Sequence, residues 1–317
     1  MIRTIAAIAT ALMFHLPAMS QDCQGPVRMV LGFGVGGGLD GVVRLLAQKY
    51  TEKFGRNAIV DNKTGAGGNI AASFVAGTPA DGCTLLFTAN NHTLNPLMYA
   101  RAGYEVKDFA PVVRVATGPL IVVAGQSQPF KTIAAMVDYA KANPGKLSYG
   151  SAGIGSVNHV VMELFLKESG LNIVHIPYKG GALAMADTAA GTVPLTISSV
   201  AAALPFIQTD KVTALSTSGT SRWPSLPRVP SMPEAGYPKA AMTAWIGLFA
   251  PAATPLAVRE KINQDFRALL LDQQVTERLQ TLGYQAGANS PQELDAFVRE
   301  DVQVNRVLAE VLKLKVD

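Results

Sequence analysis

Histidine and cysteine are scarce in this 317-residue chain, with four of the first and two of the second. His15, His92, His159 and His175 fall at no metal-ligand spacing, and neither Cys-x-x-Cys nor His-Glu-x-x-His occurs. There is no Gly-x-Ser-x-Gly to form a nucleophile elbow and no Walker loop for a nucleoside triphosphate. Basic runs are missing too: 27 Lys+Arg and 23 Asp+Glu are spread along the chain without aromatic interleaving, which describes a solvated surface rather than a nucleic-acid footprint. Past the first twenty residues, Gly, Pro or charge interrupts every apolar run before it is long enough to span a bilayer. A metal ion, a cofactor, a nucleic-acid partner and a membrane span are therefore not expected.

The N-terminus has its own pattern. Arg3, the apolar run Ile5 to Phe14 and the small residues around Ala18-Met19-Ser20 have the layout of a secretory signal peptide over residues 1–20, cleaved near Ser20. Asp22 stands where a lipoprotein signal needs a small residue, so Cys23 is not expected to carry lipid. Export invites a disulfide. Cys23 and Cys83 each precede a β-branched run, Val27–Leu31 and Thr84–Phe87, and parallel neighbours would put both at one end of a sheet. Two buried free thiols are the alternative. About 297 residues remain after cleavage (317 minus 20), near the size at which one core divides into lobes.

From Val27 onward the pattern alternates strand, loop and helix. The order βαβαβ recurs in a second unit from Thr132 to about Ile197, which predicts an α/β fold with two parallel sheets. Between the units, "APVVRVATGPLIVVAGQ" reads as two β-rich runs broken at Thr117-Gly118-Pro119, and a further β-rich run covers Met242 to Ala250. A pair of extended crossings between lobes reads as a hinge, near residues 116–123 and 242–249. The limits expected are 21–118 with 247–317 for one lobe and 119–246 for the other. The stretch "TANNHTLNP" reads as a polar loop, and Ser290-Pro291-Gln292-Glu293 as a helix-starting capping box. The C-terminal helices are expected to pack on the first lobe.

The stretch "VRMVLGFGVGGGLDGVVRLLAQ" raises the sharpest chemical question. Gly32, Gly34 and Gly37 fit Gly-x-Gly-x-x-Gly, and Asp61 closes the next strand where a ribose-binding acid would stand. Export argues against a dinucleotide enzyme. Amide groups at a glycine-rich helix start bind any phosphate or carboxylate without a basic side chain. Gly34 to Gly38 offers one such site and Gly150 to Ser156 another. In a doubly wound sheet the loops at the carboxyl ends of the strands, 33–40, 88–93, 150–159 and 198–200, face the ligand. Ser156 and His159 could form a hydrolytic pair, but Ser156 is better read as a helix cap.

Taken in order, "VLGFGVGGGLDGVVRLLAQK", "VDNKTGAGGNIAASFVA", "NPGKLSYGSAGIGSVNH", "VHIPYKGGALAMAD" and "LPRVPSMPEAG" resemble the Bug-type extracytoplasmic receptors of tripartite tricarboxylate transporters. The resemblance implies a two-lobed, type II-like periplasmic binding protein without catalysis. It implies a monomer that holds a small organic carboxylate between its lobes and hands it to membrane permease subunits, or, as an orphan receptor, to a periplasmic sensor. It makes the dinucleotide fingerprint a coincidence of glycines.

By the same resemblance the ligand-binding residues are Phe33, Gly34, Gly36, Gly37, Gly38, Leu39, Asp40, Thr88, Asn90, Ser151, Ala152, Gly155, Ser156, Val157, Asn158, His159, Ser198 and Ser199. The sequence departs from the family pattern at Gly34 and Val35, where prolines are usual, and at Leu39 and Val157, where hydroxyls are usual. Ser198 stands where aspartate is common. Phe33 is either a stacking residue or a wall residue. Asp40 is read as a helix-start residue, which leaves no acid to pair an ammonium; the expected ligand is therefore an aliphatic or aromatic acid without one.

Overall fold

The computed structural model describes Cys23 and residues 25–312; the predicted signal peptide lies outside the described residues. The first lobe begins with β1 (Val27–Leu31), α1 (Gly38–Phe54), β2 (Ala58–Asn62), α2 (Asn69–Ala76), β3 (Thr84–Ala89) and α3 (Asn91–Met98). β1 runs parallel to both β2 and β3, and its apolar residues are buried on both faces, as a central parallel strand requires. The second lobe repeats the plan with α4 (Ile133–Ala142), β5 (Ser148–Ser151), α5 (Val157–Ser169), β6 (Val174–Pro177), α6 (Gly181–Ala189), β7 (Leu195–Ser199), α7 (Val200–Gln208) and β8 (Val212–Thr217). There β5 lies parallel between β6 and β7.

The lobes are joined by β4 (Phe109–Gly125) and β9 (Thr243–Pro251), which run antiparallel from Phe109↔Pro251 to Pro119↔Thr243. This corrects the expected break at Thr117-Gly118-Pro119, because β4 is one continuous strand through those residues. Pro119 has no N–H to donate, but it stands where β4 changes partners, from β9 to β7 and β8, so the missing donor interrupts no ladder. Leu120 donates its amide to Ser218 Oγ at 2.9 Å there. Gly118 is required because a Cβ would collide with the Gly283 carbonyl.

The chain ends with α8 (Leu256–Leu270), α9 (Gln273–Thr281), the short β10 (Gln285–Ala286) and α10 (Pro291–Leu312). The capping box is formed, with the Glu293 carboxylate accepting from the Ser290 amide at 2.7 Å and Ser290 Oγ accepting from the Glu293 amide at 3.2 Å. α8 and α9 bury Phe266, Leu269, Leu270, Val275 and Leu279 in the first lobe's core. α10 starts on that lobe with Leu294 and Val298, and its end packs Leu308 and Leu312 against the second lobe's core. It therefore bridges the lobes, where the sequence reading placed all the C-terminal helices on the first. Among the described residues no helix is long and apolar enough to cross a membrane.

Cys23 and Cys83 form a disulfide with a Cα separation of 5.0 Å, just before the adjacent strands β1 and β3. It ties the start of the chain to its sheet neighbour across 60 residues of sequence. Cross-linking so long a loop restricts the unfolded chain, with a typical effect of about 2–4 kcal/mol. The Cys23→Ser/Cys83→Ser double variant is therefore expected to lose about that much unfolding free energy in urea. A loss below about 0.5 kcal/mol would show that the bridge adds little.

Candidate ligand-binding site

A cavity of about 70 Å³ lies between the lobes, at the carboxyl ends of β1, β3, β5 and β7. Five helices begin at its wall. α1 contributes Gly38 and Leu39, α3 contributes Asn91, and α5 contributes Val157 and Asn158 behind its cap Ser156. α6 contributes Gly181 behind Gly180, and Ser199 caps α7. The first amides of each helix have no intrahelical acceptor, and the helix dipoles add positive potential where they converge. Among the described residues none that lines the cavity is charged. The arrangement can hold an anion without an opposing cation.

The side chains at these helix starts mostly build the loops. Ser156 Oγ accepts from the His159 amide at 3.3 Å and donates to the Gly153 carbonyl at 2.6 Å. Ser199 Oγ accepts from the Ala202 amide at 3.3 Å, and Asn158 Nδ2 donates to the Ile197 carbonyl at 2.9 Å. Asn91 donates to the Gly67 carbonyl at 3.1 Å and accepts from the Ala89 amide at 3.2 Å. Burial pushes the Tyr284 hydroxyl up to about 12, with a hydrogen bond to Ser199 working against it, so it stays protonated at neutral pH.

Eleven of the residues expected from the sequence line the cavity: Phe33, Gly34, Gly37, Gly38, Leu39, Ala152, Ser156, Val157, Asn158, Ser198 and Ser199. The other seven do not line it, and most of them bond to the loops that do. Asp40 accepts from the Gly36 amide, Arg44 Nε and Asn62 Nδ2, each at 2.9 Å, and so locks the glycine loop to β2. Burial alone would raise its pKa, but the bonds from Arg44, Gly36 and Asn62 outweigh it and hold the carboxyl below its usual value. Asn90 links α3 to the crossing strand β9 by accepting from the Trp245 amide at 3.0 Å. Thr88 donates to Asn91 Oδ1 at 3.4 Å. Ser151 Oγ meets His175 Nε2 at 2.6 Å and accepts from the Gly153 amide at 3.0 Å. Gly155 has φ +78° and donates to His159 Nδ1 at 3.4 Å.

The glycines of the dinucleotide-like motif have other tasks here. A Cβ on Gly32 would strike the Gly68 backbone, and one on Gly34 would lie 3.0 Å from the Lys179 carbonyl across the cleft. Gly37 is the N-cap of α1. Asp61, in the ribose-acid position, pairs with Lys63 at 3.4 Å. Nor do Ser156 and His159 assemble as a nucleophile and base, since His159 Nδ1 faces the Gly155 amide and its ring stacks on His175 at 4.1 Å.

Ala89 and Asn91 also line the cavity, within the loop 88–93 expected to face the ligand, whereas sequence reasoning missed Leu120, Gly180, Gly181, Ala244, Trp245, Ile246 and Tyr284. Gly180-Gly181 could have been found, because "YKGG" follows a strand and opens a helix as the other loops do. The rest are apolar or aromatic residues of the crossing strands and of a C-terminal turn, which carry no local signal. The stretch "TANNHTLNP" is also corrected: its polar residues start the helix α3 and are buried. Their partners come from distant segments, as in Asn95 to the Gly67 carbonyl at 3.0 Å and Thr93 to Asp301 at 2.5 Å.

His92 is fully buried among Tyr104, Phe109 and Phe249, with neither ring nitrogen bonded. Burial lowers its pKa to about 3. Below pH 6.5 the unfolded chain protonates this residue while the native state does not, so acid removes stability down to about pH 3, at about 1.4 kcal/mol per pH unit. Between pH 7 and pH 5 the protein is expected to lose about 2 kcal/mol more than His92→Leu, by urea unfolding at both values. Equal losses would contradict a neutral buried His92.

Two α/β lobes, two crossing strands and a cleft walled by helix starts define a solute-binding receptor of the periplasmic type. The fold is that of a solved periplasmic binding protein, BugD, at 32% identity and a TM-score of 0.88 over 92% of this chain and 99% of that one. The chain belongs to the tripartite tricarboxylate transporter receptor family, whose profile matches residues 42–314. Similar solved structures include Rpa4515 of R. palustris with adipate, at 33% identity and a TM-score of 0.88 over 92% of this chain and 98% of that one. MatC from Rhodopseudomonas palustris, with bound malate, is 28% identical with a TM-score of 0.85 over 90% of this chain and 99% of that one. The family is one of solute-binding receptors rather than enzymes.

Proposed function

We propose that this chain is an extracytoplasmic receptor that closes its lobes on a small organic carboxylate and presents it to the membrane subunits of a tripartite tricarboxylate-type uptake system. The mature chain would begin after cleavage near Ser20, with one lobe formed by 21–118 and 247–317 and the other by 119–246. The observation that carries the reading is the convergence of five helix starts on an uncharged cavity. Adipate and malate in the two relatives are carboxylates of this kind. The ligand would lack an ammonium group, because among the described residues no acid lines the cavity to pair one.

A thermal-shift screen of mono-, di- and tricarboxylates against NAD and nucleotides tests the reading. A ligand at about 100 times its Kd stabilises by about 2.7 kcal/mol, a visible rise in Tm. At least one carboxylate is expected to give it; stabilisation by NAD alone would overturn the proposal.

A further inference from the structure

We infer that Tyr284 is a ligand-contacting residue: its hydroxyl, paired across the cleft with that of Ser199, completes a donor to the bound carboxylate when the lobes meet. The inference rests on the receptor reading above and names a side chain that reads the acid. Tyr284 lines the cavity and is buried. Its backbone is fixed on both sides. At the end of α9, Gly283 takes the left-handed conformation with φ +77° and donates its amide to the Gln280 carbonyl at 2.9 Å. The Tyr284 amide donates to the Leu279 carbonyl at 2.8 Å, which completes a Schellman motif. The next two residues form β10 against Thr117 and Ala116 of β4. The ring packs in the first lobe's core, where a Cβ on Gly118 would lie 3.0 Å from Tyr284 Cδ1. The hydroxyl is thereby delivered to one place.

That place is the start of α1. A Cβ on Gly38 would lie 2.6 Å from Ser199 Oγ and closer still to the Tyr284 hydroxyl, so the first turn of α1, the phenol of the first lobe and the cap of α7 meet there. Ser199 Oγ already accepts from the Ala202 amide at 3.3 Å, and it also hydrogen-bonds the Tyr284 hydroxyl. The two hydroxyls carry two protons, and their mutual bond uses one. The other has no acceptor among the described residues. A buried O–H without an acceptor costs free energy, and a group that only accepts removes that cost. A carboxylate is such a group, and the free first-turn amides of α1 and α7 already favour an anion at this spot. Tyr284 belongs to the first lobe and Ser199 to the second, so the pair holds only while the lobes are together.

Tyr284→Phe removes the hydroxyl and keeps the ring. Titration calorimetry with malate, adipate, citrate and hexanoate compares the variant with the wild-type protein, and urea unfolding without ligand is followed for both. Every one of these acids that binds the wild-type protein is expected to bind the variant at least about tenfold more weakly, as the loss of a hydrogen bond to a charged group implies. The unliganded urea midpoint is expected to be unchanged or higher. A loss of affinity below about tenfold overturns the inference. A larger loss matched by a fall in unliganded stability also overturns it, since the hydroxyl would then serve the fold rather than the ligand. The receptor reading survives both results, because the wild-type protein has bound an acid. If none of the four acids binds, the inference falls, and the receptor reading falls with it only if the wider carboxylate screen is empty as well.

Discussion

Gly38→Ala is expected to weaken carboxylate binding by at least about 100-fold, or about 2.7 kcal/mol, while the unliganded protein still folds. Gly38 is the first residue of α1 and lies against Ser199 of the other lobe and Tyr284 of its own. A Cβ there would lie 2.6 Å from both Cβ and Oγ of Ser199, and closer still to the Tyr284 hydroxyl. Ser199 could then no longer come so close to α1 around a ligand, while the Tyr284 hydroxyl, in the same lobe as Gly38, would have to swing aside whether the lobes are together or apart. Gly41→Ala, one turn further along the same helix, is the control. Its Cβ would meet nothing nearer than Leu282 at 3.9 Å, so affinity should be unchanged. Alanine's better helix propensity should add up to about 1 kcal/mol of stability. Equal affinity in the wild-type and Gly38→Ala proteins would show that the lobes do not need this approach.

The second large effect is expected at Ser198. Its hydroxyl donates to the Gly181 carbonyl at 3.4 Å, beside the start of α6, and the residue is buried. Ser198→Asp would place a tethered carboxylate at the same positive helix end that the ligand uses. Competition and like-charge repulsion in a closed cleft should then lower carboxylate affinity by about 100-fold or more. Ser198→Asn has nearly the same shape without the charge and should lose no more than about tenfold. The aspartate should also narrow the gap between an acid and its α-amino analogue, since an ammonium would gain a partner. If calorimetry finds the Asp and Asn variants equally weakened, crowding rather than charge governs this position.

Much of this site could be read before the structure because its chemistry is local. A strand, a glycine or serine, and a helix follow one another within a few residues at Gly34–Gly38, Ser156 and Ser199, and the amides proposed to hold an anion belong to those turns. The end of the cavity away from the glycines could not be read that way. Leu120, Trp245 and Ile246 are ordinary core-like residues until β4 and β9 pass beneath the cleft. The same limit explains the stretch from Thr88 to Pro96, whose Asn and Thr residues favour turns locally. They are held in a helix by Gly67, Asn69 and Asp301, none of them neighbours in sequence. Asp40 shows the converse: its helix-start position was legible, but its service as the lock between the glycine loop and Asn62 required the fold.

The central claim is that helix starts alone, with no charged side chain, select an acid that carries no ammonium. Calorimetric titration of hexanoate and adipate, each beside its 2-amino analogue, tests it most directly. At least one of the two acids should bind, and the amino group should cost it at least about tenfold in Kd. Equal or tighter binding of the amino analogue would contradict the account.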